Sequence, residues 1–353
     1  MKCVIFGAGQ TGRGFIAPIL IKNKIDITFV DKNKELIDRL NKKKEYCVKY
    51  FGKSDEIIID NYCALHSEDS RLVHILEDAD LIITSIFASN IKDVIPLLKK
   101  ANVQNTPILC IENGVNVKKP LVDANVSTQI SEGIIFCTSI GHEDLSVTSE
   151  FGIHIPIDVS CIQPLAINGF DMELQFKNLI QRKIYTYNFI SAVIAYFGSY
   201  MGYKEYAQAA NDPTIKQFNK TILSSLNPLI AKATNIDVSS QEQFSLQALK
   251  KFENYEIKDS ITRNAQQASR KLGMNERLMS PLKFAIADSI LLTPYLCVIG
   301  AAINYGIKYE NLDAQVIIDD IKAYFPKEAI AQKIESIINK FKMGQSLAII
   351  LSQ

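Results

Sequence analysis

Neither sign of charge dominates this chain: 39 lysines and arginines stand against 38 aspartates and glutamates, a formal net charge of +1 over 353 residues. A field so close to neutral steers neither nucleic acid nor an anionic membrane, so any basic pocket is local. CxxC pairs are also missing. The seven cysteines, Cys3, Cys47, Cys63, Cys110, Cys137, Cys161 and Cys297, are scattered. Several sit in apolar, strand-like runs where a thiol behaves as a small hydrophobe, so they read as reduced and structural. No apolar run approaches the roughly 18 residues of a membrane span, and the first strand opens almost at the first residue, so neither insertion nor an export signal is expected. A cytoplasmic location follows as the expectation. Histidine is scarce, and His66, His74 and His154 show no spacing to one another or to acids that would build a metal site, so no metal is expected. Repeats, low-complexity tracts and flexible linkers are absent too.

What is present begins at the first residues. Cys3-Val4-Ile5-Phe6 is an apolar strand running into Gly7-Ala8-Gly9-Gln10-Thr11-Gly12, then a helix-like stretch ending near Lys22; a second apolar run, Ile27 to Val30, stops at Asp31. In a dinucleotide-binding turn the first glycine permits the tight bend, the second lets the backbone approach a pyrophosphate, and the third lets the helix pack closely. The acid that ends the second strand accepts from a ribose 2′-hydroxyl and repels a 2′-phosphate, so the cofactor expected is NAD(H), although Lys32 follows directly. An ordinary glycine-rich turn is the bland alternative; strand, glycines, helix, strand and acid in the right order argue against it.

Apolar runs alternate with helical patterns through the first half. Strands are expected over 80–84, 107–111 and 133–138 with a helix over 91–101, a hairpin inserted at 45–65, and further strands over 145–162. Beyond about residue 172 only helical periodicity remains. The fold class expected is α/β: a Rossmann-type doubly wound sheet over residues 1–180, followed by an all-helical domain over 181–353, with the cleft between them as the default site. Thr84, Ser85 and Phe87 end the strand that such sheets bring to the nicotinamide half of the cofactor.

The segment Gln181-Arg182-Lys183-Ile184-Tyr185-Thr186-Tyr187-Asn188-Phe189-Ile190-Ser191 reads as the start of a long helix. At about 100° per residue Lys183 shares a stripe with Tyr187, Ile190 and Ile194. One explanation is snorkelling, with the stem on apolar surface and the ammonium in water. The other is a desolvated lysine acting as a base near neutrality.

The glycine turn continued through Arg13-Gly14-Phe15-Ile16, together with Arg182 to Asn188, resembles the polyol-specific long-chain dehydrogenases, the family of the mannitol-1-phosphate 5-dehydrogenases. The similarity runs on through Lys251-Phe252-Glu253-Asn254, Lys258-Asp259, Arg263, Arg270-Lys271-Leu272 and Glu276-Arg277-Leu278 to Pro281-Leu282. The resemblance implies Lys183 as general base, with Asn188 and Asn113 holding the reacting oxygen. Read alone, Asn113 could equally be a cap or turn residue at a strand end.

Departures from the family pattern matter as well. Ser191 stands where the family has histidine, His142-Glu143 where it has Asp-Arg, and Ala265-Gln266-Gln267-Ala268 where it has Gly-Arg-Gln-Pro. Ser191, His142, Arg263 and Lys258 are the candidate substrate contacts. The resemblance implies an NAD-dependent oxidoreductase interconverting a sugar alcohol or its phosphate with the corresponding ketose. The competing readings are a silent NAD-binding sensor, and a dehydrogenase for a uronate or pentitol derivative. Partners are expected to be a small polyol or sugar phosphate, with no nucleic acid or membrane, on a monomer or weak dimer.

Overall fold

Continuous apolar runs, rather than alternating ones, mark strands covered on both faces, and these build the first unit of the chain. The computed structural model describes residues 1–112, 114, 116–152, 154–325 and 328–352; they divide into two units, Met1–Ile180 and Gln181–Gln353. The strands in order are β1 Lys2–Phe6, β2 Asp26–Asp31, β3 Tyr46–Tyr50, β4 Glu56–Ile59, β5 Tyr62–His66, β6 Leu81–Thr84, β7 Ile108–Ile111, β8 Ile130–Gly133, β9 Ser139–Gly141, β10 Val147–Ser149, β11 Ile155–Asp158 and β12 Phe170–Glu173. The main sheet runs β12-β11-β8-β7-β6-β1-β2-β5. From β5 to β8 every pairing is parallel, in the doubly wound order; β11 then pairs antiparallel to β8 and carries β12. Every residue of β6 and β7 is buried.

Helices α1 Ala17–Lys22, α2 Lys34–Lys43, α3 Leu72–Glu77, α4 Ile91–Lys100 and α5 Lys119–Asp123 accompany this sheet. Asn33 caps α2 by accepting from the Leu36 amide at 3.0 Å, and Lys44 ends it in the left-handed region, φ 60°. One apolar cluster gathers Ile5, Phe29, Ile83 and Leu109 with Leu20 and Leu40; a second gathers Val4, Phe6, Ile82 and Ile108 with Leu72, Leu98 and Leu121. These are the two faces of the sheet, as the alternation of side chains along each strand requires.

Two sequence readings need correction here. The segment 45–65 is a hairpin only as far as β3 and β4: β5 leaves it and pairs parallel to β2 at the edge of the main sheet. The hairpin itself joins β10 and β9 in a second sheet, ordered β4-β3-β10-β9. The strand expected over 133–138 is β8, which ends at Gly133. It was hidden because it carries polar residues inward. Glu132 accepts from the Lys118 amide at 3.1 Å, and the Ser131 hydroxyl donates to the Asp158 carbonyl.

The second unit is helical. It opens within α6 Phe176–Tyr185 and continues through α7 Tyr187–Tyr200, α8 Tyr206–Ala210, α9 Pro213–Thr234 and α10 Val238–Glu253 to shorter helices and the long buried helix Thr293–Glu310. Asp212 caps α9 by accepting from the Thr214 and Ile215 amides, with Pro213 at the first helical position; Asp237 caps α10. Among the described residues no helix is long and apolar enough to cross a membrane.

Lys271 is buried in this unit at 5% exposure, its ammonium donating to the Asn264 carbonyl and lying 5.7 Å from the Tyr196 ring. Burial, then the charges of Arg277 and Arg270, push it down to about 7 from the usual 10.5. An amine depressed in the folded state is protonated first in the unfolded chain. Its contribution is therefore fully present above pH 10.5 and is lost as pH falls toward 7, at up to about 1.4 kcal/mol per pH unit. Lys271→Met should flatten the rise in urea midpoint between pH 7.5 and 9.5 relative to the parent chain; parallel profiles for the two would refute the assignment.

Candidate functional site

The first unit concentrates its candidates at the C-terminal end of β1. Gly7 has φ +107°, and a Cβ there would lie 2.3 Å from the Ser85 carbonyl oxygen. A Cβ on Gly12 would lie 2.2 Å from the Gly7 oxygen, whereas one on Gly9 would meet nothing within 4 Å. Two glycines are therefore demanded by the fold and the third faces open space. That is the division of labour in a turn whose middle glycine admits a pyrophosphate, so the residues present fit a dinucleotide.

Asp31 spans the turn and the second strand: its carboxylate accepts from the Ala8 amide and from the Asn33 amide, each at 2.9 Å. Each carboxylate oxygen keeps a further lone pair for a hydroxyl. Gln10 and Thr11 follow Gly9, Gln10 exposed and Thr11 half-buried. Helix geometry is unusual just beyond: Gly12–Ile16 is a π-helical turn leading into α1. Arg13, inside that turn, points into the protein. Its Nε donates to the Ala8 carbonyl at 2.7 Å, its guanidinium donates to the Leu145 carbonyl, and the Arg13 carbonyl accepts from Tyr46 Oη at 3.0 Å. This arginine braces the turn against the second sheet.

At the end of β6, Thr84 is fully buried, the Ser85 amide donates to the Phe6 carbonyl at 2.7 Å, and the buried Ser85 hydroxyl has no partner among the described residues. Phe87 is 64% exposed. An orphaned hydroxyl on the residue packed against Gly7 leaves a polar group for a ligand there. Asn113 lies outside the described residues. His142 follows directly on β9, its ring hydrogen-bonding Thr148 Oγ1 at 2.8 Å, and the turn it opens is held to α2 by Arg39 and Lys43 donating to the Glu143 and Asp144 carbonyls.

In the second unit, the long helix expected from Gln181 begins earlier, at Phe176, and breaks at Thr186, whose φ and ψ are −112° and −74°. The stripe drawn through Lys183 and Tyr187 is therefore split between the ends of two helices, although Thr186 still donates to the Arg182 carbonyl and accepts from the Ile190 amide, each at 2.9 Å. Lys183 sits in the last turn of α6 at 5% exposure, a depth that leaves little room for snorkelling, and Asn188 sits in the first turn of α7, half-buried. Ser191 lies one turn further, half-buried, its carbonyl accepting from Tyr206 Oη at 3.4 Å. Arg263 is clasped by Asp259, its Nε donating at 2.6 Å, and Lys258 is exposed. Sequence reasoning passed over Gln241 and Asn227, buried polar residues packed under this break; the available signal was Gln241 and Ser245 aligned with Ala248 on the buried stripe of α10.

Comparisons with known proteins agree with this arrangement. The family described as "Mannitol dehydrogenase Rossmann domain" matches residues 1–161, and "Mannitol dehydrogenase C-terminal domain" matches residues 175–349. The mannitol-1-phosphate 5-dehydrogenase of Thermoanaerobacter pseudethanolicus is 29% identical, covering 94% of this chain and 92% of its own. That of Enterococcus faecalis is 28% identical over 86% of each. Among solved structures, Pseudomonas fluorescens mannitol 2-dehydrogenase, in a ternary complex with NAD and D-mannitol, superposes with a TM-score of 0.79 at 13% identity, over 99% of this chain and 93% of that one. A D-sorbitol dehydrogenase gives 0.71 at 12% identity, over 96% and 93%.

Proposed function

The chain belongs to the mannitol dehydrogenase family, and we propose that it is an NAD-dependent oxidoreductase interconverting a sugar alcohol, or its phosphate, with the corresponding ketose. The substrate class we favour is a hexitol phosphate of the mannitol 1-phosphate kind, paired with a fructose 6-phosphate-like ketose. The observation that carries the proposal is a lysine buried at a helix break, with an asparagine opening the next helix.

Bound NAD supplies the hydride acceptor, and returns the hydride in reduction. Gly7, Ala8, Gly9, Gln10, Thr11 and Gly12 would hold its pyrophosphate, Asp31 its adenosine ribose, and Thr84, Ser85 and Phe87 its nicotinamide half. Lys183, neutral when the alcohol binds, takes the hydroxyl proton and gives it back in the reverse direction. Asn188 and Asn113 donate hydrogen bonds to that oxygen as charge builds on it. Ser191 leaves more room than an imidazole at its position and selects substrate together with His142, Lys258 and Arg263. In this reading residues 1–180 bind the dinucleotide and lend Asn113 and His142, and residues 181–353 bring the base and the remaining substrate contacts.

The test is oxidation of NADH, followed at the reduced nicotinamide band, with fructose 6-phosphate, other ketose phosphates and unphosphorylated ketoses. Turnover with a ketose phosphate is the expected result; NADH binding without turnover on the whole panel would favour a silent sensor. Asp31→Ala should weaken NADH binding and narrow its advantage over NADPH, because ribose hydrogen bonds, phosphate repulsion and the brace to Ala8 are lost together. Equal affinity of the unaltered chain for NADH and NADPH would sink the cofactor assignment.

A further inference from the structure

Gln241 is completely buried on α10, and every polar atom of its side chain is used. Its Nε2 donates to Thr186 Oγ1 at 2.7 Å and, longer, to Asn227 Oδ1 at 3.4 Å; its Oε1 accepts from Arg182 Nε at 3.0 Å. Asn227, on α9, in turn donates to Ser245 Oγ at 3.0 Å. One turn along α10 from Gln241, Phe244 takes the Arg182 guanidinium at 4.4 Å from its ring centre and the Tyr187 ring at 4.9 Å between centres. Arg182 immediately precedes Lys183 and Tyr187 immediately precedes Asn188. A single face of α10 thus grips the chain on both sides of the break and at the break itself.

Such a grip does something a continuous helix would not need. Unbroken intrahelical hydrogen bonds would fix residues 183 and 188 relative to each other by helix geometry alone. Thr186 keeps its amide hydrogen bond to the Arg182 carbonyl and accepts from the Ile190 amide, each at 2.9 Å, but its φ of −112° and ψ of −74° distort the joint between α6 and α7, so that relation also depends on whatever holds the two helix ends. We infer that Gln241, Thr186 and Phe244 are positioning residues: they set the angle of the α6–α7 joint and through it the placement of Lys183 against Asn188. The inference rests on the proposed roles of those two residues. Supporting shells of this kind matter because misplacing a reacting group by about 1 Å can cost about 10²-fold in rate, and a fully satisfied buried network keeps its geometry rigid.

The experiment compares Gln241→Met, Thr186→Val and Thr186→Ser with Lys183→Ala, using NAD with mannitol 1-phosphate in one direction and NADH with fructose 6-phosphate in the other. Gln241→Met and Thr186→Val should fold, bind NADH as the parent does, and lose about 10- to 100-fold in kcat. Their kcat profiles should also have midpoints displaced by about half a pH unit or more, since the lysine's surroundings change. Thr186→Ser, which keeps the hydroxyl, should stay within about threefold of the parent. Parental kcat and pH midpoint in folded Gln241→Met or Thr186→Val would overturn the inference, as would failure of serine to rescue position 186.

Should both apolar variants unfold, Gln241→Glu carries the test. Glutamate still accepts from Arg182 and accepts from the Thr186 hydroxyl, and its negative charge favours the protonated lysine. The oxidative midpoint should then rise, and an unmoved midpoint overturns the inference. Lys183→Ala separates the two levels. Full activity in that variant removes the proposed base itself, whereas its collapse beside unchanged Gln241 variants removes only the positioning role.

Discussion

Lys183→Ala is expected to lower turnover by about 10²- to 10⁴-fold in both directions, the range lost with a positioned proton-transfer group, while NADH binding stays nearly unchanged. The expectation follows from where the side chain lies. Lysine stems usually carry their charge to water, yet Lys183 is 5% exposed in the last turn of α6, beside a break that ends the helix. Only the neutral form of an amine can take a proton from an alcohol, so the proposed role is that of a neutral Lys183. The loss should appear in kcat more than in KM, since the interaction with the proton strengthens only as the bond to hydrogen breaks. Small primary amines added to Lys183→Ala should restore part of the rate. A variant with parental kcat would remove Lys183 as the base.

Much of this molecule was legible in the sequence, for reasons that differ from one residue to the next. Parallel strands buried on both faces leave unbroken apolar runs, so β1, β2, β6 and β7 stood out, and Gly7 and Gly12 of the turn are dictated by backbone sterics that only glycine meets. The edge strand β5 was not legible, because Tyr62 to His66 is covered unevenly and lies directly behind a hairpin. Nor was β8, whose Ser131 and Glu132 are buried through hydrogen bonds rather than apolarity. In the second unit the error was one of continuity. Residues 176–200 have the composition of a single helix, and nothing local in Tyr185-Thr186-Tyr187 announces a break. The break is stabilised from 55 residues away by Gln241, a tertiary partner that no window of sequence contains. Arg13 makes the converse case. Beside a phosphate turn an arginine suggests a ligand contact, but Ala8 and Leu145 carbonyls hold it inward, and its work is structural.

The glycine turn offers a sharp separation of fold from binding, in which Gly7, Gly9 and Gly12 are expected to respond to alanine in different ways. At Gly7 the new methyl would meet the Ser85 carbonyl oxygen at 2.3 Å, with the backbone at φ +107°. Neither can relax cheaply, since Ser85 is pinned by its amide on Phe6. A strained backbone of this kind costs about 1–3 kcal/mol before the collision is counted, so Gly7→Ala should unfold at clearly lower urea concentration. Gly12→Ala drives its methyl to 2.2 Å from the Gly7 oxygen and should behave similarly. At Gly9 nothing lies within 4 Å, and stability should stay within about 0.5 kcal/mol of the parent. Yet Gly9→Ala fills the space a pyrophosphate backbone contact requires, and NADH affinity should fall by at least about tenfold, or about 1.4 kcal/mol. Calorimetric titration with NADH beside urea unfolding reads both quantities on the same samples. Parental NADH affinity in a stably folded Gly9→Ala would place the cofactor elsewhere on the chain, and with it the assignment of Asp31 and Ser85 to the dinucleotide would fall.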